Sequence, residues 1–364
     1  MMMRILWSSP LLLSLLPGCG SVEYVHDRVA CATLGDSSSD DGTASDDATT
    51  EASGESGESG ESSDSGESGE SGDSGDSGAP PSGGIPTPTA PCPTIADGVV
   101  SFCPAGLGTC RDARVVNASG ATGSGPLALH WHGTFESPDG VLAGDFAAQQ
   151  IESMVVAEGG VMILPYGDPA AATRPDTPFP WWVVCGSFGT QCDRLDDFVF
   201  ADEIVACAVE QGLVDPQRLN TSGMSAGGIM TSHLVDRTAY FAGAVSWSGG
   251  VPLWAQPATP MNETAVMVIH GGPTDQYCGA GTSSCYDFVQ PSEALATAVA
   301  AAGNFTFLCD HHSGHTTGMG NVGASFIAAS HAEGHPWASY VFGSGGSWIL
   351  DHYCYLPGQP SPWQ

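Results

Sequence analysis

The sequence predicts an α/β fold, a mostly parallel sheet with helices on both faces. Two observations predict it. From about residue 113 onward, short apolar runs of strand length alternate with longer helical stretches. Each apolar run also stops at a loop rich in Gly, His, Asp or Ser, and in open α/β sheets ligands bind at the carboxyl ends of the strands. A third feature, ten cysteines after residue 90, predicts a disulfide-stapled version of that fold.

The chain opens with "MMMRILWSSPLLLSLLPGCGS", where Arg4 precedes a short apolar run broken by Ser and Pro. The run is too short and interrupted to span a membrane and reads as an export signal over residues 1–18. Gly18 before Cys19 resembles the lipobox of bacterial lipoproteins, which implies cleavage before Cys19 and a lipid on its sulfur. The alternative is a plain secretory peptide with an incidental thiol. The expected location is outside the cytoplasm, anchored to the cell envelope by lipid or otherwise secreted.

Residues 19–90 read as an acidic Ser/Gly/Glu tether with a Pro-rich end. Glycine recurs with period three in "SGESGESGESSDSGESGESGDSGDSG", but proline is absent there, which makes collagen a poor reading. Such a segment buries too little apolar area to offset chain entropy and is expected to be disordered. As a flexible coil, residues 36–90 would span about 40 Å root-mean-square.

The 364 residues carry 40 carboxylates against 8 basic residues, a net charge of −32. Fourteen of the carboxylates fall in residues 36–90, and 24 follow residue 90 against six Arg. Both parts are therefore acidic, which argues against binding nucleic acid or anionic lipid through charge. A neutral substrate fits better, membrane contact is expected only through the N-terminal lipid, and a monomer is expected.

Cys19 and Cys31 precede the Ser/Gly/Glu repeats, and no cysteines have the Cys-x-x-Cys spacing of a zinc site. Cys185 with Cys192, and Cys278 with Cys285, each close a short Gly-containing loop and are plausible pairs.

Residues 91–364 are assigned to the folded domain. "PLALHWHG" (126–133) reads as a strand ending in a turn, "DFAAQQIESMVVAEGG" (145–160) as a helix opened by Asp145, and "GGVMILPYG" (159–167) as a buried strand. "DDFVFADEIVACAVEQG" (196–212) is a helix with acidic residues at its start and Gly212 at its end. "FAGAVSWSG" (241–249) and "AVMVIHGG" (265–272) are strands. "SEALATAVAAAG" (292–303) is a helix capped by Ser292, and "FTFLCDHH" (305–312) is the last strand.

Between residues 218 and 228 lies "RLNTSGMSAGG", in which Gly223-Met224-Ser225-Ala226-Gly227 matches Gly-x-Ser-x-Gly. The glycines matter because a sharp strand-to-helix turn leaves no room for side chains two positions either side of the serine, whose oxygen that turn lifts clear of the sheet. On its own the pentapeptide is a weak signal; a strand before it and a helix after it make it specific.

A serine nucleophile needs a base, and the base an orienting acid, in the chain order nucleophile, acid, histidine. "VMVIHGGPTD" supplies Asp275 and "FTFLCDHHSGH" supplies His315. His311, His312 and His335 are rivals for the base, and Asp287 and Asp310 for the acid. The three histidines of residues 311–315 could instead hold a metal, although they lack a helix and an obvious carboxylate geometry. "HWHGT" (130–134) would present the backbone N–H of Thr134 beside that of Ala226, giving two donors for an oxyanion. His130, His132 and His270 read as packing residues, and so do Trp181 and Trp182, with a cleft-lining role as the alternative for the tryptophans.

"DDFVFADEIVAC" and "GLVDPQRLNTSGMSAGGIMTSHLVDRTAYFAGAVSWSGG", with "LHWHG" upstream and "VIHGGPTD" and "SGHT" downstream, resemble the polyhydroxybutyrate depolymerase and feruloyl esterase group of secreted α/β-hydrolases over roughly residues 113–340. The resemblance implies the α/β-hydrolase fold and a serine esterase with nucleophile Ser225, acid Asp275 and base His315, needing no metal or organic cofactor. Two departures stand out. The strand before the serine is more polar than the aliphatic run usual in that group, and the turn to Asp275 is one residue longer than its His-Gly-x-x-Asp form. A serine peptidase on the same fold, or a surface-displayed binding protein that kept the fold without turnover, are the other readings.

Overall fold

Val161, Met162, Ile163 and Leu164 show how the sheet is built: successive side chains of one strand enter opposite apolar layers, so a strand covered on both faces is apolar at every position. The structure, a computed structural model, describes residues 22–25, 28–31, 84–173, 179–182, 195–251, 264–278, 285–330 and 353–363. The export signal, Cys19, Cys185, Cys192 and His335 lie outside the described residues. Two units divide the chain, 1–73 and 74–364.

In the first unit the described residues form one antiparallel pair, β1 (Val22–Val25) with β2 (Arg28–Cys31). It lies in a segment where the sequence reading expects no strand.

The second unit contains β3 (Gly98–Phe102), β4 (Arg111–Val116), β5 (Leu127–Trp131), α1 (Pro138–Gly144), α2 (Phe146–Ala157), β6 (Val161–Pro165), α3 (Pro169–Ala172), α4 (Asp196–Glu210), β7 (Leu219–Met224) and α5 (Ala226–Arg237). It continues with β8 (Gly243–Trp247), β9 (Ala265–His270), the two-residue pair β10 (Gln276–Tyr277) and β11 (Tyr286–Asp287), α6 (Val289–Ala301), β12 (Thr306–Asp310), α7 (Gly320–Ala329) and β13 (Cys354–Tyr355). Nine strands form one sheet in the order β13-β12-β9-β8-β7-β5-β6-β4-β3. The run β12-β9-β8-β7-β5-β6 is parallel throughout, and β13, β4 and β3 add antiparallel edges. This is an α/β-hydrolase-like fold, as the sequence predicts.

Ile151 and Val155 of α2 and Phe326 and Ile327 of α7 cover one face against Met162, Val245 and Met267. Phe200 and Ile204 of α4 and Ile229 and Met230 of α5 cover the other against Leu127, Leu129 and Ile163, where Leu295 and Val299 of α6 pack on Val266 and Val268. Asp145 caps α2 by accepting the Ala148 N–H at 2.8 Å.

The start of α6 differs from expectation. Ser292 is buried inside the helix, which begins at Val289, whose N–H donates to Asp287 Oδ1 at 2.8 Å. Pro291 falls in the first turn, where its missing N–H costs no hydrogen bond.

Four disulfides join described residues: Cys92–Cys207, Cys103–Cys110, Cys278–Cys285 and Cys309–Cys354. Cys278–Cys285 is one of the two pairs expected from spacing. The Pro-rich end, assigned to the tether up to residue 90, is held against α4 before that point. Glu203 Oε2 accepts the N–H of Thr89 at 2.8 Å and its hydroxyl at 2.7 Å, Oε1 accepts the Ala90 N–H at 3.2 Å, and Cys92 is then bonded to Cys207 one helical turn on.

Candidate active site

Strand β7 ends at Met224 and α5 starts at Ala226, so the chain turns at Ser225 alone. Its backbone sits at φ 57° and ψ −119°, a region costly for a side-chain-bearing residue. The turn is held by the Ser225 N–H donating to Trp247 O of β8 and by the Ile229 N–H donating to Ser225 O, both at 2.9 Å. A Cβ on Gly227 would overlap the Trp131 carbonyl, and one on Gly223 would overlap the Gly227 carbonyl. Strand β5 therefore abuts the serine turn in a way only glycine permits. Ala226 occupies the first helical position of α5, where its N–H has no acceptor within the helix.

Asp275 follows β9 through a short 3₁₀ turn, Gly272–Thr274, and is fully buried. Its Oδ1 accepts the Nδ1–H of His315 at 2.7 Å. Its Oδ2 accepts the Ser248 hydroxyl and the Gly271 N–H, each at 2.8 Å. The loops of Asp275 and His315 touch directly: the Gly314 N–H donates to Gly271 O at 2.9 Å, an approach that a side chain at residue 271 would block. Because the carboxylate takes the Nδ1–H, His315 presents the lone pair of Nε2. Phe288 stacks on the imidazole, with centroids 4.6 Å apart and planes 23° from parallel, while its N–H donates to Asp275 O at 3.1 Å.

The rivals have other partners. Asp310 accepts the His312 N–H at 2.8 Å and the Ser361 hydroxyl at 3.0 Å and lies 3.7 Å from His312 Nδ1. Asp287 supports the start of α6. The His312 ring lies against Trp363, and burial depresses the His311 imidazole below its ordinary pKa. Burial also pushes His130 and His132 down to about 4, and it depresses His270; the three are buried residues, bonded to Ser222, to the Gly133 carbonyl and to Tyr355. Among the described residues no group of three or more His, Cys, Asp or Glu is placed to hold a metal ion.

Thr134 lies in the turn after β5. Within that turn the Gly133 N–H donates to Glu136 Oε2 at 2.7 Å, and the Trp181 Nε1–H donates to His132 O at 3.0 Å. Trp181 is fully buried edge-on against Trp131, and Trp182 Nε1–H donates to Asp168 Oδ2 at 2.8 Å. Behind them a buried ion pair joins Arg111 Nη1 to Asp197 Oδ1 at 2.7 Å, and Asp197 Oδ2 accepts the Trp182 N–H. Trp181 thus braces the start of the turn, while Trp182 ties the loop after β6 to the start of α4.

Sequence reasoning missed Ser248, Phe288 and the Arg111–Asp197 pair. Ser248, in "SWSGG" at the end of β8, carried a usable signal, since it ends a strand on the edge where ligands bind. Phe288 carried none.

A model of the prolyl oligopeptidase family matches residues 190–260, which contain α4, the serine turn and β8. No curated protein sequence matches the chain. Among solved structures the chain is similar to native sOPH, at 20% identity over 66% of this chain and 91% of that one, with a TM-score of 0.51. Native pOPH is similar at 19% identity over 66% and 92%, with a TM-score of 0.50. These likenesses show the fold.

Proposed function

We propose that the protein is a serine hydrolase that cleaves neutral carboxylic esters through an acyl-enzyme, acting outside the cytoplasm and held to the envelope by lipid on Cys19. The observation that carries the reading is the hydrogen bond from His315 to buried Asp275, in loops that follow β12 and β9 of the sheet whose strand β7 ends at the strained turn of Ser225. Ser225 Oγ attacks the ester carbonyl as His315 Nε2 takes its proton, and Asp275 holds the ring and stabilises the imidazolium. The N–H groups of Ala226 and Thr134 receive the oxyanion. His315 returns the proton to the departing alcohol, and water, deprotonated the same way, releases the acid. The resemblance to polyhydroxybutyrate depolymerases and feruloyl esterases supports polyester, feruloylated or acetylated polysaccharide, or small esters as substrates.

The match to the prolyl oligopeptidase family over residues 190–260 favours a second reading, a peptidase using the same three residues. One panel separates the two: p-nitrophenyl acyl esters, methyl ferulate, polyhydroxybutyrate film and peptide p-nitroanilides, offered to wild type and Ser225→Ala. Ester turnover by wild type, lost by a factor of about 10³ or more in Ser225→Ala, is expected, with fluorophosphonate labelling only of wild type. Anilide cleavage without ester cleavage would select the peptidase, and equal release by both proteins on every substrate ends both readings.

A further inference from the structure

Phe135 is the most exposed large apolar side chain among the described residues, at 80%. Its backbone is left-handed, at φ 65°, a conformation that is uncommon for any non-glycine residue and an outlier for a bulky one. Both features run against what an ordinary surface turn selects, since a small polar residue or glycine would fit with less strain and less exposed apolar area.

The turn is built to hold that residue. Residues 133–136 close on themselves, the Glu136 N–H donating to Gly133 O at 3.4 Å and the Glu136 carboxylate folding back onto the Gly133 N–H. The Cβ position of Gly133 lies 3.4 Å from the carbonyl of Met224, which directly precedes Ser225. Burial raises the pKa of the Glu136 carboxyl, and the His315 imidazole opposes that rise only weakly. Phe135 therefore stands next to Thr134, in the turn that abuts the residue preceding Ser225. Two other non-glycine residues with positive φ, Ser225 and Ser248, belong to the same site, the clustering expected where backbone strain serves function.

We propose that Phe135 is a specificity-determining residue whose exposed ring packs against an apolar group flanking the scissile ester, so that substrates carrying such a group are favoured over acetates of small alcohols. The proposal rests on the esterase reading and adds the substrate class. Binding would bury a ring that otherwise stays in water, and the turn fixes its position beforehand, so little ordering is lost on contact.

Wild type, Phe135→Ala and Phe135→Gly are compared on two series, acyl chains from acetate to hexanoate on one alcohol, and methyl to benzyl esters of one acid. Wild type is expected to prefer the larger member of at least one series, and which series shows it tells whether the ring contacts the acyl or the alcohol side. In both variants that ratio of kcat/KM is expected to fall by about tenfold, the discrimination that a modest apolar contact supplies. Phe135→Gly is expected to melt above Phe135→Ala, because glycine takes positive φ without a steric cost. A wild type without preference in either series, or a preference that survives in both variants, overturns the proposal. Loss of activity on all esters alike with a lowered melting temperature overturns it too, marking the ring as a structural anchor. A wild type that cleaves no ester at all instead removes the esterase reading, and the proposal falls with it.

Discussion

Ser248 donates its hydroxyl hydrogen to Oδ2 of Asp275 at 2.8 Å, so the carboxylate that orients His315 is itself held by a second strand-end loop. Hydrogen bonds to a charged group contribute about 1.5–3 kcal/mol. Ser248→Ala leaves Oδ2 with the Gly271 N–H alone. Its kcat/KM is expected to fall by about tenfold through kcat, with KM little changed, on whichever substrate the panel identifies. Unaltered kcat in a folded variant would show that Gly271 alone suffices.

Phe288 bears on the other end of the same arrangement. Stacked aromatic pairs contribute about 0.5–1.5 kcal/mol beyond the area they bury. Phe288→Leu keeps an apolar side chain but loses the flat face against the imidazole. A fall in kcat of about three- to tenfold is expected, together with a shift in the pH profile of kcat/KM, and Phe288→Trp should recover part of both. A changed melting temperature with an unmoved pH profile would assign Phe288 to packing only.

Buried histidines set an acid limit on stability. Burial pushes His130 and His132 down to about 4, whereas histidines of the unfolded chain titrate near 6.5. Between about pH 6.5 and 4 the unfolded chain binds protons that the folded chain does not, so stability falls as pH drops through that window. Asp236, which burial pushes up to about 6, works in the opposite direction, because the folded chain takes that proton first. The urea midpoint of His130→Asn is therefore expected to decline less steeply than that of wild type between pH 6.5 and 4. Parallel declines would contradict the role given to His130.

Cys92 and Cys207 are 115 residues apart, and closing a loop of that length restricts the unfolded chain by up to about 4–5 kcal/mol. Replacing both by Ala is expected to lower the melting temperature by about 10 °C, measured by calorimetry. Replacing Cys103 and Cys110, only seven residues apart, should cost clearly less. Equal losses from the two pairs would show that strain or packing outweighs loop length.

Strands such as β6 and β9 were legible in the sequence because they are buried on both faces and read as unbroken apolar runs, whereas β7, with its polar "LNTSGM", was legible only from the glycine turn that follows it. Edge strands β3 and β4 were not, since in "RDARVV" exposed and buried positions mix and the charged residues look like loop. Two-residue strands such as β13 carry too few side chains for any period to show. Within the site, Ser225 was legible because its turn needs glycines at fixed offsets, and Asp275 and His315 because each follows a strand end. The pairing of Asp275 with Ser248, and of His315 with Phe288, joins loops 27 residues apart in each case and depends on tertiary placement that local pattern does not encode.

The bonds from Thr89 and Ala90 to Glu203, followed by Cys92–Cys207, also determine where a pull on the leading end of the chain is absorbed. Tension arriving from before residue 84 meets three hydrogen bonds to one carboxylate and then a covalent link into the flank of α4. The force path ends in a 15-residue helix packed on the sheet, and the loops of Ser225, Asp275 and His315 lie beyond it. With the chain anchored as proposed, flow or drag would thus load the helix and leave Ser225, Asp275 and His315 undisturbed.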